Sequence, residues 1–461
     1  MYISGSEYSE VAIAAMFKVV EFISFSKLYC LSLSQAGISY VLQKSDEETV
    51  LTADKILKTY PELLELYENL NNSLPNLPSS PPQSRLMLNV YQSLIDDCLE
   101  ENHYDAALDL LESCQSQQYH PPEKHIRRLM DIIVDDQVDD GIAARAYKIL
   151  QHILQTSGNA AFQNIWTSEQ LDSEQGTLWE NYVNFWKFIE NLFTSLTKVN
   201  KSGRIMMLLD HIVSVIEIDI KIKKEKLNST LLLKLIPKSC GKVRTNIKDP
   251  INALLFPFHE DVSIETARLS QRILKQIIIL SHAGHICSSS LITEVYQQMN
   301  KFKRSQLKLF LQTMLSSTFK CMLLDLALRN TDFSRIPRQN RNMITSPLSL
   351  VKFVNIYFDS KPYNKNDPIS LWRHIFILCS AFQSYVDSKT MRVGHKVFCG
   401  LNDEERKLIV DKVIIQRIAE LTKRIDGEKM DSELKKNTKF LLEIMSIDIE
   451  RIYGWCLENS E

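Results

Sequence analysis

Apolar residues recur at spacings of three and four along almost the whole chain, and this period limits the chain to helices packed on helices. Tyr104, Ala107, Leu108, Leu111 and Cys114 follow it, as do Leu307, Phe310, Leu311, Met314 and Leu315. So do Val410, Ile414, Ile418 and Leu421, and then Leu441, Met445, Ile449 and Ile452. Such spacing lines up apolar groups on one helical face, which must be buried against a neighbour. Start signals agree with the period. Asn402 precedes Asp403, Glu404 and Glu405, a cap with acids in the first turn, and Ser45 with Glu48 forms a capping box. Gly is scarce, 12 of 461 residues, well below the usual ~7%, which disfavours turn-rich β folds. The expected fold class is all-α: an irregular multi-helix array, an α-solenoid-like body with no extended sheet. Predicted helices include 104–116, 122–135, 139–156, 203–223, 302–328, 402–425 and 431–457. Ser214–Ile220 and Leu231–Ile236 are apolar enough to form short strands instead.

Composition shifts divide the chain. Residues 1–70 form an N-terminal helical appendage. Residues 71–84 carry Pro75, Pro78, Pro81 and Pro82 with four serines and read as a linker. Residues 85–461 form the helical body, with a division into two lobes expected near 237–262. No fixed repeat period is present, so a regular repeat array is not expected. The most apolar stretch, Val11–Leu33, is interrupted by Lys18, Glu21 and Lys27. Spanning a bilayer takes about 20 uninterrupted apolar residues, so this segment reads as a buried amphipathic helix and no membrane association is expected. The nine cysteines are scattered, never in C-x-x-C spacing, as in a reducing compartment.

Motifs that carry chemistry are missing. No G-x-G-x-x-G, P-loop, G-x-S-x-G or H-E-x-x-H pattern occurs. The two Glu-x-x-His segments that helical carboxylate enzymes use are not both present, so no catalytic residue, no cofactor and no metal is expected. His282, His285 and Cys287 come nearest to a metal set, and read instead as a helix end, where His meets the dipole. Asp135, Asp136, Asp139 and Asp140 read as solvated helix-end charges. Asp131-Ile132-Ile133-Val134-Asp135-Asp136 has the shape of a SUMO-interacting motif, but its position in a helical pattern buries the aliphatics.

Charge is nearly balanced overall, at −2, but not locally. Lys221, Lys223, Lys224, Lys226, Lys234, Lys238, Lys242, Arg244 and Lys248 face one acid, Glu225, within a single stretch. Smaller basic clusters lie at Lys301, Lys303, Arg304 and Lys308, and at Arg329, Arg335, Arg338 and Arg341. Residues 221–248 read as a basic surface loop making a supporting contact, through Lys221, Lys223, Lys224, Lys226, Lys242 and Arg244. Its counterpart is either DNA backbone, bound weakly and without sequence preference, or an acidic protein face.

One segment carries a resemblance. Asn89–Leu154 reads as a helix, then the leucine-rich Tyr104–Cys114, then Tyr119-His120-Pro121-Pro122. A helix from Glu123, an acidic break and a helix bearing Tyr147 follow. This resembles the start of the Nse-five-like helical domain in recruitment factors of the Smc five–six complex. That family includes a BRCT- and ankyrin-containing localisation factor and a SUMO-interacting-motif-containing protein. The resemblance implies a non-enzymatic adaptor that pairs with an Nse-six-like helical partner and brings SMC complex subunits to damaged DNA in the nucleus. It makes Tyr119, His120, Pro121 and Pro122 a candidate partner interface, with Tyr119–Pro122 a structural turn. BRCT, ankyrin and long SUMO-motif tracts are absent, so the chain is expected to be the docking core, a fragment or short isoform. A cytoplasmic helical scaffold in trafficking or cytoskeletal assembly is the alternative.

Overall fold

The computed structural model describes residues 85–114, 119–158, 160–162, 165–166, 184–196, 202–237, 246–260, 262–330, 347–358, 368–393, 396–428 and 430–458. The appendage 1–70 and the linker 71–84 lie outside them. Among the described residues there are seventeen α-helices and two small sheets of two strands each, so the fold is all-α with no extended sheet. No helix among them is long and apolar enough to cross a membrane. They fall into two compact units, one ending at Leu315 and one starting at Ser316.

The first unit opens with β1 (Arg85–Leu86), α1 (Asn89–Glu100), α2 (Tyr104–Cys114), β2 (Tyr119–His120), α3 (Glu123–Val134) and α4 (Asp140–Ser157). β1 pairs in parallel with β2, Arg85 opposite Tyr119 and Leu86 opposite His120. A parallel pair needs a crossover, and α1 with α2 supplies it. α4 begins where the Asp139 side chain accepts from the Gly141 amide, 2.7 Å away. It buries Ala143, Ala146, Ile149, Leu150, Ile153 and Leu154, the helical spacing made physical.

Next come α5 (Phe185–Leu196), α6 (Ser202–Ile222) and, after a 3-10 turn at Lys224–Ser229, α7 (Leu231–Leu235). α8 (Lys248–Leu255), α9 (Ile264–His282), α10 (Ser288–Met299) and α11 (Arg304–Thr313) complete the unit. α6 is central and packs against α3, α4, α5, α7 and α9. The division expected near 237–262 falls elsewhere, because α8 packs on α5 and α9 inside this unit. The two segments open to a strand reading are helical. Ser214–Ile220 lies within α6, and Leu231–Leu235 is α7. β-Branched residues there are buried by helices on several sides, which overrides their strand preference.

The second unit holds α12 (Ser317–Arg329), α13 (Leu350–Lys352) running into a π-helical turn at Phe353–Tyr357, and α14 (Pro368–Lys389). An antiparallel hairpin, β3 (Thr390–Val393) and β4 (Lys396–Cys399), precedes α15 (Asp403–Val410), α16 (Val413–Gly427) and α17 (Ser432–Glu458). α14 packs against α12 and α17, and α16 against α17. The expected cap at Asn402 is present as a full capping box with Glu405. The buried Glu405 carboxylate also accepts from Tyr385 Oη at 2.6 Å and from the Leu350 amide at 3.1 Å. Two predicted helices are each broken in two. The stretch 302–328 stops at Thr313 and restarts where Ser316 caps the Phe319 amide. The stretch 402–425 breaks at Lys412, whose φ of 54° is left-handed.

His211 sits on α6, wholly buried, its ring edge-on to Phe162 at 5.1 Å between centroids. Neither ring nitrogen has a hydrogen-bond partner among the described residues. Burial pushes the imidazole down to about 3, against a smaller upward pull from Asp210. An unfolded histidine titrates near ~6.5, so between these values only the unfolded chain binds the proton. Stability is therefore full above the unfolded value and lost as pH falls toward the folded one. The loss is about 2 kcal/mol at pH 5 relative to pH 7. Urea unfolding of the wild type and His211→Leu at the two pH values should show a smaller pH difference in the variant.

Candidate functional site

Tyr119-His120-Pro121-Pro122 is not a free-standing turn. Tyr119 and His120 are extended and half-buried, held in the parallel pair with β1, and the His120 carbonyl accepts from the Met87 amide at 2.9 Å. Pro121 is buried. Pro122 stands at the N-cap of α3 with extended angles, φ −66° and ψ 159°. Proline suits that place, since its fixed φ is already near helical and a missing N–H there breaks no helical bond. The motif thus aims α3 at α4, on which α3 packs. Next to it, Asp96 of α1 binds Lys124 and His125 of α3, the latter at 2.8 Å. Its hydrogen bonds to Lys124 and His125 hold the Asp96 carboxyl below its ordinary value against an upward pull from burial.

The basic segment differs from the loop expected of it. Lys221 is exposed in the last turn of α6 and Lys226 is exposed in the 3-10 turn. Lys223 instead lies 2.7 Å from Asp219, a wholly buried carboxylate, and donates to the Ser229 carbonyl at 3.0 Å. The other Asp219 oxygen accepts from the Leu231 amide and so caps α7. Lys224 is half-buried in the same turn. Leu227, Leu231, Leu232 and Ile236 are all buried. Apolar residues interleaved with the lysines thus anchor 221–237, and only part of the positive charge reaches the surface. Lys242 and Arg244 lie outside the described residues, as do Arg335, Arg338 and Arg341. Lys301, Lys303, Arg304 and Lys308 are exposed around the start of α11.

Among the described residues no group of His, Cys, Asp or Glu is placed to hold a metal ion. His282 ends α9, and Cys287 is the N-cap position of α10. Hydrogen bonds from Ser289 and Ser290 bring the exposed Cys287 thiol down to about 6. Ile132 and Ile133 are buried in α3, so the aliphatics of the SUMO-motif-like stretch face the core. The acids after it are used structurally. Asp139 caps α4, while Arg204 of α6 binds Asp140 and the carbonyls of Asp135 and Val138.

Three arginines join distant helices, a role the spacing of charges along the chain did not reveal. Arg145 of α4 holds Glu112 and Asp109 of α2. Arg204 closes the α3–α4 connection. Arg272 of α9 binds Glu217 and Asp210 of α6, and Asp210 also accepts from Tyr147 Oη at 2.7 Å. The partners lie 33 to 69 positions apart, beyond any helical spacing, so only the fold brings them together.

Reversing Lys223 should unfold the segment it holds, because Asp219 would then be buried beside a like charge. Lys223→Glu is expected to cost about 3 kcal/mol, whereas Lys221→Glu and Lys226→Glu should stay within ~0.5 kcal/mol of the wild type. Thermal melts of the three variants check this. No protein-family model and no curated protein matches the chain.

Proposed function

We propose that this chain is a non-enzymatic helical adaptor that binds a helical partner and helps recruit an SMC complex of genome maintenance to damaged DNA in the nucleus. The observation that carries the reading is the order of elements from α1 to α4. A leucine-rich α2 is followed by the extended Tyr119–His120 and two prolines, then by α3 and by α4 with Tyr147. This is the order on which the resemblance to the Nse-five-like domain rests. Two further features support an adaptor. Polar groups drawn into the interior, such as Asp219, Asp325 and Glu405, are engaged in holding helices together. The exposed lysines near the end of α6 and the start of α11 suit a supporting contact with phosphates or with an acidic protein face.

Affinity purification of the full chain from nuclear extract tests the proposal. Co-isolation of a helical partner together with SMC subunits is the expected outcome, and recovery of trafficking or cytoskeletal proteins in their place would replace it with the scaffold alternative. Tyr119→Ala should lower stability or partner recovery by on the order of 1–3 kcal/mol, measured by melting and by quantitative pull-down. No change in either would remove the weight placed on that segment.

A further inference from the structure

The start of the first unit presents an apolar surface that none of the contacts above uses. Met87 is buried, while Leu86 and Leu88 on either side of it are each 58% exposed. The surface continues on α1, where Val90 and Leu94 are exposed one turn apart and Tyr91 is exposed at the margin, one turn before the buried Ile95, while Leu99 faces the core. Five of the large apolar side chains that reach solvent thus lie within nine consecutive residues. Exposed apolar side chains grouped beside polar residues mark interaction surfaces, whereas ones scattered singly do not.

The same face becomes acidic one turn later. Val90, Leu94 and Asp97 follow one another at i, i+4 and i+7, with Glu100 and Glu101 beside them at the end of α1. From Leu86 to Pro122 the sequence contains no Lys or Arg at all, against seven acids. Among the described residues Arg145 holds Asp105, Asp109 and Glu112, Asp96 is held by Lys124 and His125, and Glu101 lies 3.4 Å from the exposed His103. Asp97 and Glu100 have no ion-pair partner there.

We propose that this face docks an amphipathic helix of a partner protein, with apolar anchors on Leu86, Leu88, Val90, Tyr91 and Leu94 and with Lys or Arg against Asp97, Glu100 and Glu101. The proposal rests on the adaptor reading and names the surface and the chemistry of its partner. Charge selects this occupant over a second copy of the chain. A parallel two-fold pairing of the face with itself opposes like acids, and an antiparallel one sets the acids over apolar residues with no countercharge. A single helix laid with its apolar side on the patch places its charged end on the acids.

The test is photo-crosslinking in cells from the full chain with p-benzoylphenylalanine in place of Leu94, the crosslinked peptide being mapped by mass spectrometry. The expected product is one segment of another protein, with apolar residues at helical spacing and at least two Lys or Arg within two turns of them. Asp97→Lys, Glu100→Lys and Glu101→Lys together should reduce its yield at least tenfold, and Val90→Ser alone should also reduce it, with melting midpoints unchanged. Crosslinks to residues 1–84 of the same chain or to a second copy would overturn the proposal. So would a yield no higher than from the exposed Lys423 position, or a yield indifferent to the charge reversal. If the triple variant loses no crosslink and still co-isolates a helical partner with SMC subunits, the adaptor reading stands and this surface is wrong.

Discussion

A helix packed on by five others has little solvent-facing surface to spare for charged side chains, and α6 is such a helix. It nonetheless carries Arg204, Asp210, Glu217 and Asp219. Each of these meets a partner, and the wholly buried Asp219 must, since an unmatched charge drawn out of water costs several kcal/mol. Arg272 answers Asp210 and Glu217, Lys223 answers Asp219, and Arg204 takes up Asp140 with the carbonyls of the α3–α4 connection. Apolar burial supplies the drive to pack α6 but is indifferent to small rotations and slides. The paired charges are not, and they set its register against α9, against the turn after it and against α3. His211 is the exception on this helix, kept neutral by burial, with no hydrogen-bond partner for either ring nitrogen among the described residues.

The second unit uses the same device with two carboxylates. Asp325 of α12 binds Arg329, Lys352 and Tyr357. The segment from Leu350 to Tyr357 changes there from α to π geometry, and the Lys352 ammonium before the change and the Tyr357 hydroxyl after it reach one carboxylate oxygen. Burial pushes the Lys352 ammonium below its ordinary value, and Asp325 opposes the shift. Glu405 does two jobs at once. Its backbone amide and carboxylate close the capping box with Asn402, and one of its oxygens ties the start of α13 and the Tyr385 hydroxyl of α14 to α15.

The helices were legible because their signals are local. The spacing of Ala143, Ala146, Ile149, Leu150, Ile153 and Leu154, or the Asn402–Glu405 cap, lies within a few turns of chain. What was not legible depended on groups far apart in sequence. The break at Lys412 has no glycine to announce it, and Ser316 is an ordinary serine until α12 needs a cap. The strand reading of Ser214–Ile220 failed because β-branched residues suit any surface buried on several sides. Residues 221–237 depart from a free loop for a related reason. Counting charge along 221–248 ignored Leu227, Leu231, Leu232 and Ile236, whose burial orders the chain between the lysines, and ignored Asp219, which claims Lys223 for the interior. At Tyr119–Pro122 the prolines correctly marked a change of direction, but the partner of the extended residues, Arg85–Leu86, lies more than thirty positions earlier and across two helices.

A net charge of −2 conceals a chain whose charges are sorted along its length. Residues 86–122 lack any Lys or Arg, while residues 221–248 hold nine of them against one acid. Folding alone does not call for such sorting. The charges that α6 turns inward are matched by partners, and compact folding favours mixed signs because like charges repel. The acids left over on α1 lie against exposed apolar residues, and the lysines left over near the end of α6 lie beside buried ones. The two surfaces therefore differ in kind. The first couples apolar area to charge, the combination that holds a specific helix in register, whereas the second offers charge over an ordered base, which serves attraction at a distance and falls with salt. On the adaptor reading proposed above, the first contact defines the partner and the second speeds arrival on a charged target.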